Sequence, residues 1–274
     1  MLAHFLEDAH IGQNWLILAA VGVAVLSYCL GCLNGAVTVS KYILRDDVRN
    51  YGSGNGGLTN FCRVHGGPLT ILVVLADVLK AVVAVVFAAW LAYVIDPAGS
   101  LVTLSKYWAG LCCILGHMFP INFQFRGGKG VLSGGIVAIL IDWRVAVVVW
   151  GGFLILALLT KYVSLGAIWA GLSFPVATYF VFRDPLITVL GIICGLLLLF
   201  KHRANMKRLL TGKEPKFSFK KNPPPKNHKF DLEEEEEEPE TEETEIEEIE
   251  IEETETEETE TEETEGKSSE GEQQ

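Results

Sequence analysis

The chain carries three clusters of residues suited to holding phosphate. The first is Arg49-Asn50-Tyr51-Gly52-Ser53-Gly54-Asn55-Gly56-Gly57-Leu58-Thr59-Asn60-Phe61-Cys62-Arg63. Gly52, Gly54, Gly56 and Gly57 let the backbone turn sharply and aim several N–H groups into one concavity, the geometry that binds phosphate oxygens. Ser53, Thr59 and Asn60 add side-chain donors, and Arg49 and Arg63 offer planar cationic forks. A flexible glycine-rich connector would have the same composition. No G-x-x-x-x-G-K-[ST] sequence occurs, so this is not a Walker loop.

The second cluster is Gly116-His117-Met118-Phe119-Pro120, followed by Phe125-Arg126-Gly127-Gly128-Lys129-Gly130. Lys129 stands where a short helix begins, so its ammonium and the helix amides would attract the same anion. A simple tight reversal is the plainer account of this turn, and His117 alone suits packing as well as chemistry. In the third cluster, Lys201 to Arg208, His202 and Asn205 lie three apart and share one helical face. The basic residues around them are also explained by anchoring against anionic headgroups. Asp77 and Lys80 are likewise three apart, inside an apolar run, where a charged pair marks either a functional site or mutual neutralisation.

These residues need a scaffold, and composition says which kind. Of 274 residues, 50% are hydrophobic. Residues 1–230 carry 21 Lys and Arg against 9 Asp and Glu, whereas residues 231–274 carry 1 Lys against 25 acids. The net charge of −12 thus describes the C-terminal stretch, and the apolar part is basic. A bilayer core about 30 Å thick needs roughly 20 apolar helical residues. Candidate spans fall at 14–40, 69–95, 104–121, 129–141, 143–160, 163–182 and 185–200. The fourth is short enough to be tilted or re-entrant. The acidic N-terminus, with Glu7 and Asp8, lacks the basic start of a cleavable signal peptide. Cys29, Cys32, Cys62, Cys112, Cys113 and Cys194 lie mostly in or beside apolar runs and read as packing residues.

Loop charge sets orientation. Lys41, Arg45, Arg49, Arg63, Arg126, Lys129, Lys161 and the flank from Lys201 fall on one side, against Lys106, Arg144 and Arg183 on the other. The positive-inside rule then gives about seven transmembrane helices, an external N-terminus and a cytoplasmic C-terminus. The expected organisation is an all-α integral membrane domain over 1–213, a basic proline-rich linker over 214–230 and an acidic Glu/Thr-rich tail over 231–274 that stays unfolded through charge repulsion. All three clusters land on the cytoplasmic face, within reach of a soluble phosphorylated substrate.

In these three ordered stretches the chain resembles the bacterial membrane acyl-phosphate:glycerol-3-phosphate acyltransferases. The likeness covers roughly residues 26–217 through Arg49 with Gly52-Ser53-Gly54-Asn55 and Thr59-Asn60, through Gly116-His117, Phe119-Pro120 and Gly127-Gly128-Lys129-Gly130-Val131, and through His202-Arg203, Asn205 and Arg208 to Gly212. It departs from the family at Gly31-Cys32-Leu33-Asn34, at Gly56 and Leu58, and at Leu132-Ser133. The resemblance implies that Ser53, Arg63, Lys129, His202 and Asn205 hold glycerol 3-phosphate. It implies that Gly52, Gly54, Asn55, Gly56, Gly57, Thr59, Asn60, Gly127 and Gly128 cradle the phosphate of acyl phosphate, with Arg49 and His117 in support. It further implies transfer of the acyl group to the glycerol 1-hydroxyl without a protein base or cofactor, giving lysophosphatidic acid and phosphate for phospholipid synthesis. Its partners would be membrane lipids and the enzyme that supplies acyl phosphate, with no nucleic acid, in the bacterial plasma membrane.

Two observations bear on alternatives. None of the histidines at 4, 10, 65, 117, 202 and 228 has Asp five residues later, which argues against the H-x4-D acyltransferases. A transporter or channel for a phosphorylated solute would suit the spans and the Asp77–Lys80 pair, yet the two halves show no internal repeat.

Overall fold

The computed structural model describes residues 13–217. Residues 218–230 of the expected linker and the acidic tail lie outside the described residues. The described chain is all helix and loop: α1 Gln13–Cys32, α2 Gly35–Thr38, α3 Leu58–Val64, α4 Leu69–Ile95, α5 Val102–Met118, α6 Val131–Ile141, α7 Trp143–Thr160, α8 Val163–Phe182, α9 Pro185–Lys201 and α10 Arg203–Leu210. Four of these, α1, α4, α7 and α8, are singly long and apolar enough to cross a membrane, and α9 with α10, bent by 58°, makes a fifth. α5 has 17 residues and α6 has 11, so both are shorter. The outward faces of the long helices carry Trp, Leu, Ile and Val in the open, among them Trp143, Leu158 and Leu159 on α7. Such apolar faces belong in lipid.

The first expected span, 14–40, ends early. Asn34 Oδ1 accepts from Val37 N at 3.0 Å and starts α2, so the chain breaks after Cys32. Lys80 closes the broken end by donating to Gly31 O at 3.3 Å and Leu33 O at 3.1 Å, a cation at a helix C-terminus. α1 crosses α5 at Gly31 and Gly116, where a side chain on either glycine would strike the other helix's backbone. Small residues allow this close approach. Tyr28 Oη then donates to Phe119 O at 2.7 Å, so α1 also fixes the loop leaving α5. Cys113 and Cys194 pack in the main core with Tyr107, Met118 and Phe174, matching their expected packing role.

Candidate functional site

Two glycine turns meet backbone to backbone at one end of the bundle. Gly52 and Gly54 adopt positive φ of 59° and 65°, which a side chain would strain. Gly56 and Gly57 face Gly127 and Gly128, and a side chain on Gly128 would run into both the Gly56 carbonyl and the His117 ring. Asn60 locks the first turn: its Oδ1 accepts from Ser53 N at 2.9 Å, and its Nδ2 donates to Val48 O and Tyr51 O, each at 3.0 Å. Both amide hydrogens are thus engaged, and Asn60 shapes the cradle from below. Ser53, Asn55 and Thr59 stay half-buried on that turn.

Arg49 joins the turns from the side. Its Nε and Nη2 grip the Asp47 carboxylate, with 2.7 Å from Nη2 to Oδ2, and its Nη1 donates to Phe123 O at 2.8 Å and Arg126 O at 2.9 Å. Arg49 is therefore a staple between the clusters. Asp47, which the sequence pattern did not single out, is what aims it.

His117 lies beneath the second turn. Its carbonyl accepts from Gly128 N at 3.1 Å. Its Nδ1 stands 2.8 Å from Lys80 Nζ, which in turn lies 2.7 Å from Asp77 Oδ1. An ammonium only donates, so Nδ1 is the lone-pair nitrogen and Nε2 carries the hydrogen, next to Gly128. Asp77 also accepts from Gly35 N at 3.2 Å. The intramembrane pair thus neutralises itself and, through His117, supports the Gly127–Gly128 turn.

The third cluster closes the site. Lys129 Nζ donates to Asn205 Oδ1, Asn205 Nδ2 donates to Glu214 Oε1 at 2.8 Å, and Arg208 Nε donates to Glu214 Oε2 at 2.9 Å. His202 Nδ1 donates to Leu198 O at 2.8 Å, leaving Nε2 for another partner. Burial and the nearby Arg208 charge lower the Lys129 ammonium to about 8, with Glu214 opposing and Arg63 and Lys201 adding to the fall. A buried ammonium crowded by other cations is favoured by an anion beside it, and here Glu214 supplies part of that charge. Arg63, half-buried, lies within electrostatic range of Glu214 and Arg208. Glu214 is 9% exposed. Burial raises its carboxyl pKa, but hydrogen bonds, among them those from Asn205 and Arg208, hold it below the ordinary value.

Arg49, Lys129 and Asn205 thus bring together all three sequence clusters, and Arg63 and His202 sit within the same charged end. Glu214 was missed because it reads as an isolated acid in a basic stretch, and Asp47 because it reads as one of two adjacent acids, Asp46 and Asp47, between arginines. Within 214–217, the described start of the expected linker, Glu214 is buried and Phe217 N donates to Lys161 O at 2.8 Å, while Pro215 and Lys216 are exposed.

Among the described residues, an all-helical bundle with several helices long and apolar enough to cross a membrane, and with glycine turns and converging cations at one end, has the make-up of an integral membrane protein. Comparison narrows it. The profile of the family described as glycerol-3-phosphate acyltransferase matches residues 21–212. A glycerol-3-phosphate acyltransferase of Thermoanaerobacter pseudethanolicus is 35% identical over 201 residues, covering 73% of this chain and 97% of the relative. One of Mesorhizobium japonicum is 37% identical over 205 residues, covering 75% and 97%. The crystal structure of PlsY (YgiH), an integral membrane glycerol 3-phosphate acyltransferase, in its glycerol 3-phosphate form superposes with a TM-score of 0.64 at 32% identity, covering 73% of this chain and 96% of that one. Its lysophosphatidic acid form gives 0.61 at 31% identity. The chain belongs to the glycerol-3-phosphate acyltransferase family of integral membrane enzymes.

Proposed function

We propose that the protein transfers an acyl group from acyl phosphate to the 1-hydroxyl of glycerol 3-phosphate, releasing lysophosphatidic acid and inorganic phosphate. The observation that carries this is the convergence of Lys129 and Asn205 with the cationic groups Arg63 and Arg208 against the paired glycine turns. Ser53, Arg63, Lys129, His202 and Asn205 bind glycerol 3-phosphate, and the turns around Gly52–Gly57 and Gly127–Gly128 bind the donor phosphate. The glycerol oxygen attacks the acyl carbon, a C–O ester bond forms and the acyl–phosphate C–O bond breaks. The substrate's own phosphate takes the hydroxyl proton. With phosphate as leaving group, positioning and anion stabilisation are sufficient catalysis.

Seven crossings with an external N-terminus complete the proposal, in a bacterial plasma membrane with the site facing the cytoplasm. The support is that the basic loops lie at the site end of the bundle. Residues 1–213 form the catalytic unit together with Glu214, and the linker and acidic tail lie beyond it. The test is purified protein with labelled glycerol 3-phosphate and acyl phosphate, acyl-CoA or acyl carrier protein as donor. Turnover with acyl phosphate alone is expected, and equal or better turnover with acyl-CoA would reject the donor.

A further inference from the structure

The second glycine turn has little of its own to give a phosphate. Gly127 N donates to Met118 O at 3.3 Å and Gly128 N donates to His117 O at 3.1 Å, so both N–H groups are spent inside the turn. The turn shapes that wall of the cradle, and positive charge there has to come from a side chain. The half-buried cations at the site end differ in what neutralises them. Arg49 is paired with Asp47, and Arg208 with Glu214. Arg63 and Lys129 lie within range of the Glu214 charge. Lys201, the last residue of α9, is the exception, for it is half-buried and makes no ion pair with an acid among the described residues.

Its position ties it to the second turn. Lys201 Nζ stands 4.2 Å from the centre of the Phe119 ring, a cation–π contact. Phe119 lies between His117 and Pro120, and a side chain on Gly127 would strike both the His117 carbonyl and the Pro120 ring. The Lys201 charge is accordingly felt at His117, beneath the turn, and at Lys129, which follows it. A cation at the end of α9 also suits the helix dipole and lipid headgroups. Neither requires it to be half-buried beside the cradle wall with no acid to pair with.

We propose that Lys201 contacts the phosphate of acyl phosphate and stabilises it as it leaves. The proposal rests on the acyltransferase reading and adds a catalytic residue to it. When the acyl C–O bond breaks, its electron pair stays on the phosphate oxygen, so negative charge grows there and a positioned ammonium meets it. Lys129, turned to Asn205, serves glycerol 3-phosphate. Two phosphates side by side repel one another, and an ammonium on each offsets that repulsion.

A lipid phosphate would attract the same ammonium, so the experiment is run in vesicles of zwitterionic and of anionic phospholipid. It measures KM for each substrate, and the inhibition constant of inorganic phosphate varied against acyl phosphate at saturating glycerol 3-phosphate. None of these constants depends on the amount of folded protein. Lys201→Gln keeps most of the length and loses the charge, so KM for acyl phosphate and the phosphate inhibition constant should both rise about tenfold or more in both kinds of vesicle. KM for glycerol 3-phosphate should rise less than about threefold, and Lys201→Arg, which stays charged, should hold all three constants within about threefold. If the glutamine variant does not fold, Lys201→Met, which keeps the packing on Phe119, decides in its place. Unchanged constants overturn the proposal. So does a loss confined to anionic vesicles, which assigns Lys201 to headgroups, and so does a rise in KM for glycerol 3-phosphate alone, which assigns it to the acceptor. Failure of the unaltered protein with every acyl phosphate is a different result, because it removes the acyltransferase reading and the proposal falls with it.

Discussion

Lys129 Nζ donates to Asn205 Oδ1 across 76 residues of chain, and through that contact the second and third clusters become one site. The bond has a direction that matters. An ammonium has only donors and the Asn205 amide presents its oxygen because its nitrogen is engaged by Glu214 at 2.8 Å. The carboxylate therefore orients the amide, and the amide orients the ammonium.

Activity should depend on Lys129 as a charge. Lys129→Ala removes a charge-assisted contact of about 1.5–3 kcal/mol, so kcat/KM for glycerol 3-phosphate should fall tenfold to a hundredfold or more. Lys129→Arg should rescue poorly, since a planar fork fits a tight glycine turn badly. Lys207→Ala should change little, because Lys207 is exposed beyond the last span. Near-normal kinetics in both alanine variants would reduce Lys129 to a turn residue.

The pH dependence follows from the same group. Burial and the neighbouring Arg208 charge bring Lys129 to about 8 in the free protein. Raising pH through 8 removes the proton that phosphate needs, so kcat/KM for glycerol 3-phosphate should fall on the alkaline side with an inflection near 8. In Lys129→Arg the side chain stays charged, and that inflection should disappear. An unchanged alkaline limb in the arginine variant would assign the titration elsewhere.

The buried Asp77–Lys80–His117 network predicts unequal single and double losses. Removing one partner of a buried ion pair costs about 3–5 kcal/mol because a charge is left uncompensated. Asp77→Asn and Lys80→Met should each lower thermal stability in detergent, and the double variant should be more stable than either. Additive losses in the double variant would show that the two side chains act separately.

Much of the site was legible because glycine turns and cations are written locally. Gly52, Gly54 and Gly128 are required by positive φ or close approach, and Lys129 follows two glycines. What local pattern could not show is which side chains serve the scaffold. Asn60 looks like a ligand donor, but its amide hydrogens go to Val48 O and Tyr51 O, contacts that exist only once the loop folds over α3. Likewise the 14–40 apolar run reads as one span, since hydropathy does not register the Asn34 cap or the Lys80 ammonium that end it at Cys32. The seven apolar segments were legible as helices, while the crossing of α1 with α5 at Gly31 and Gly116 depends on contacts far apart in sequence.

Orientation is tested by single cysteines in a cysteine-free background. Ala98 and Arg183 are exposed in loops away from the site, and Asn50 and Ala204 are exposed near it. In sealed right-side-out cells an impermeant thiol reagent should label the first two and leave the second two unmodified. External labelling at Asn50 would overturn the orientation and the cytoplasmic placement of the site together.

Glu214 gives a prediction that separates two truncations four residues apart. Ending the chain after Phe217 keeps the Glu214 bonds to Asn205 and Arg208 and the bond from Phe217 N to Lys161 O. Ending it after Lys213 removes all three, leaving Asn205 free to rotate and the Arg63, Lys129 and Arg208 charges without their carboxylate. The longer form should keep kcat/KM within tenfold of the full chain. The shorter form should lose more than tenfold, about 1.4 kcal/mol of transition-state stabilisation. Glu214→Gln in the full chain keeps the size and one acceptor oxygen but loses the charge, so it should fall between the two and raise KM for glycerol 3-phosphate more than it lowers kcat. Equal activity from both truncations would show that the Asn205 amide needs no carboxylate to hold its orientation.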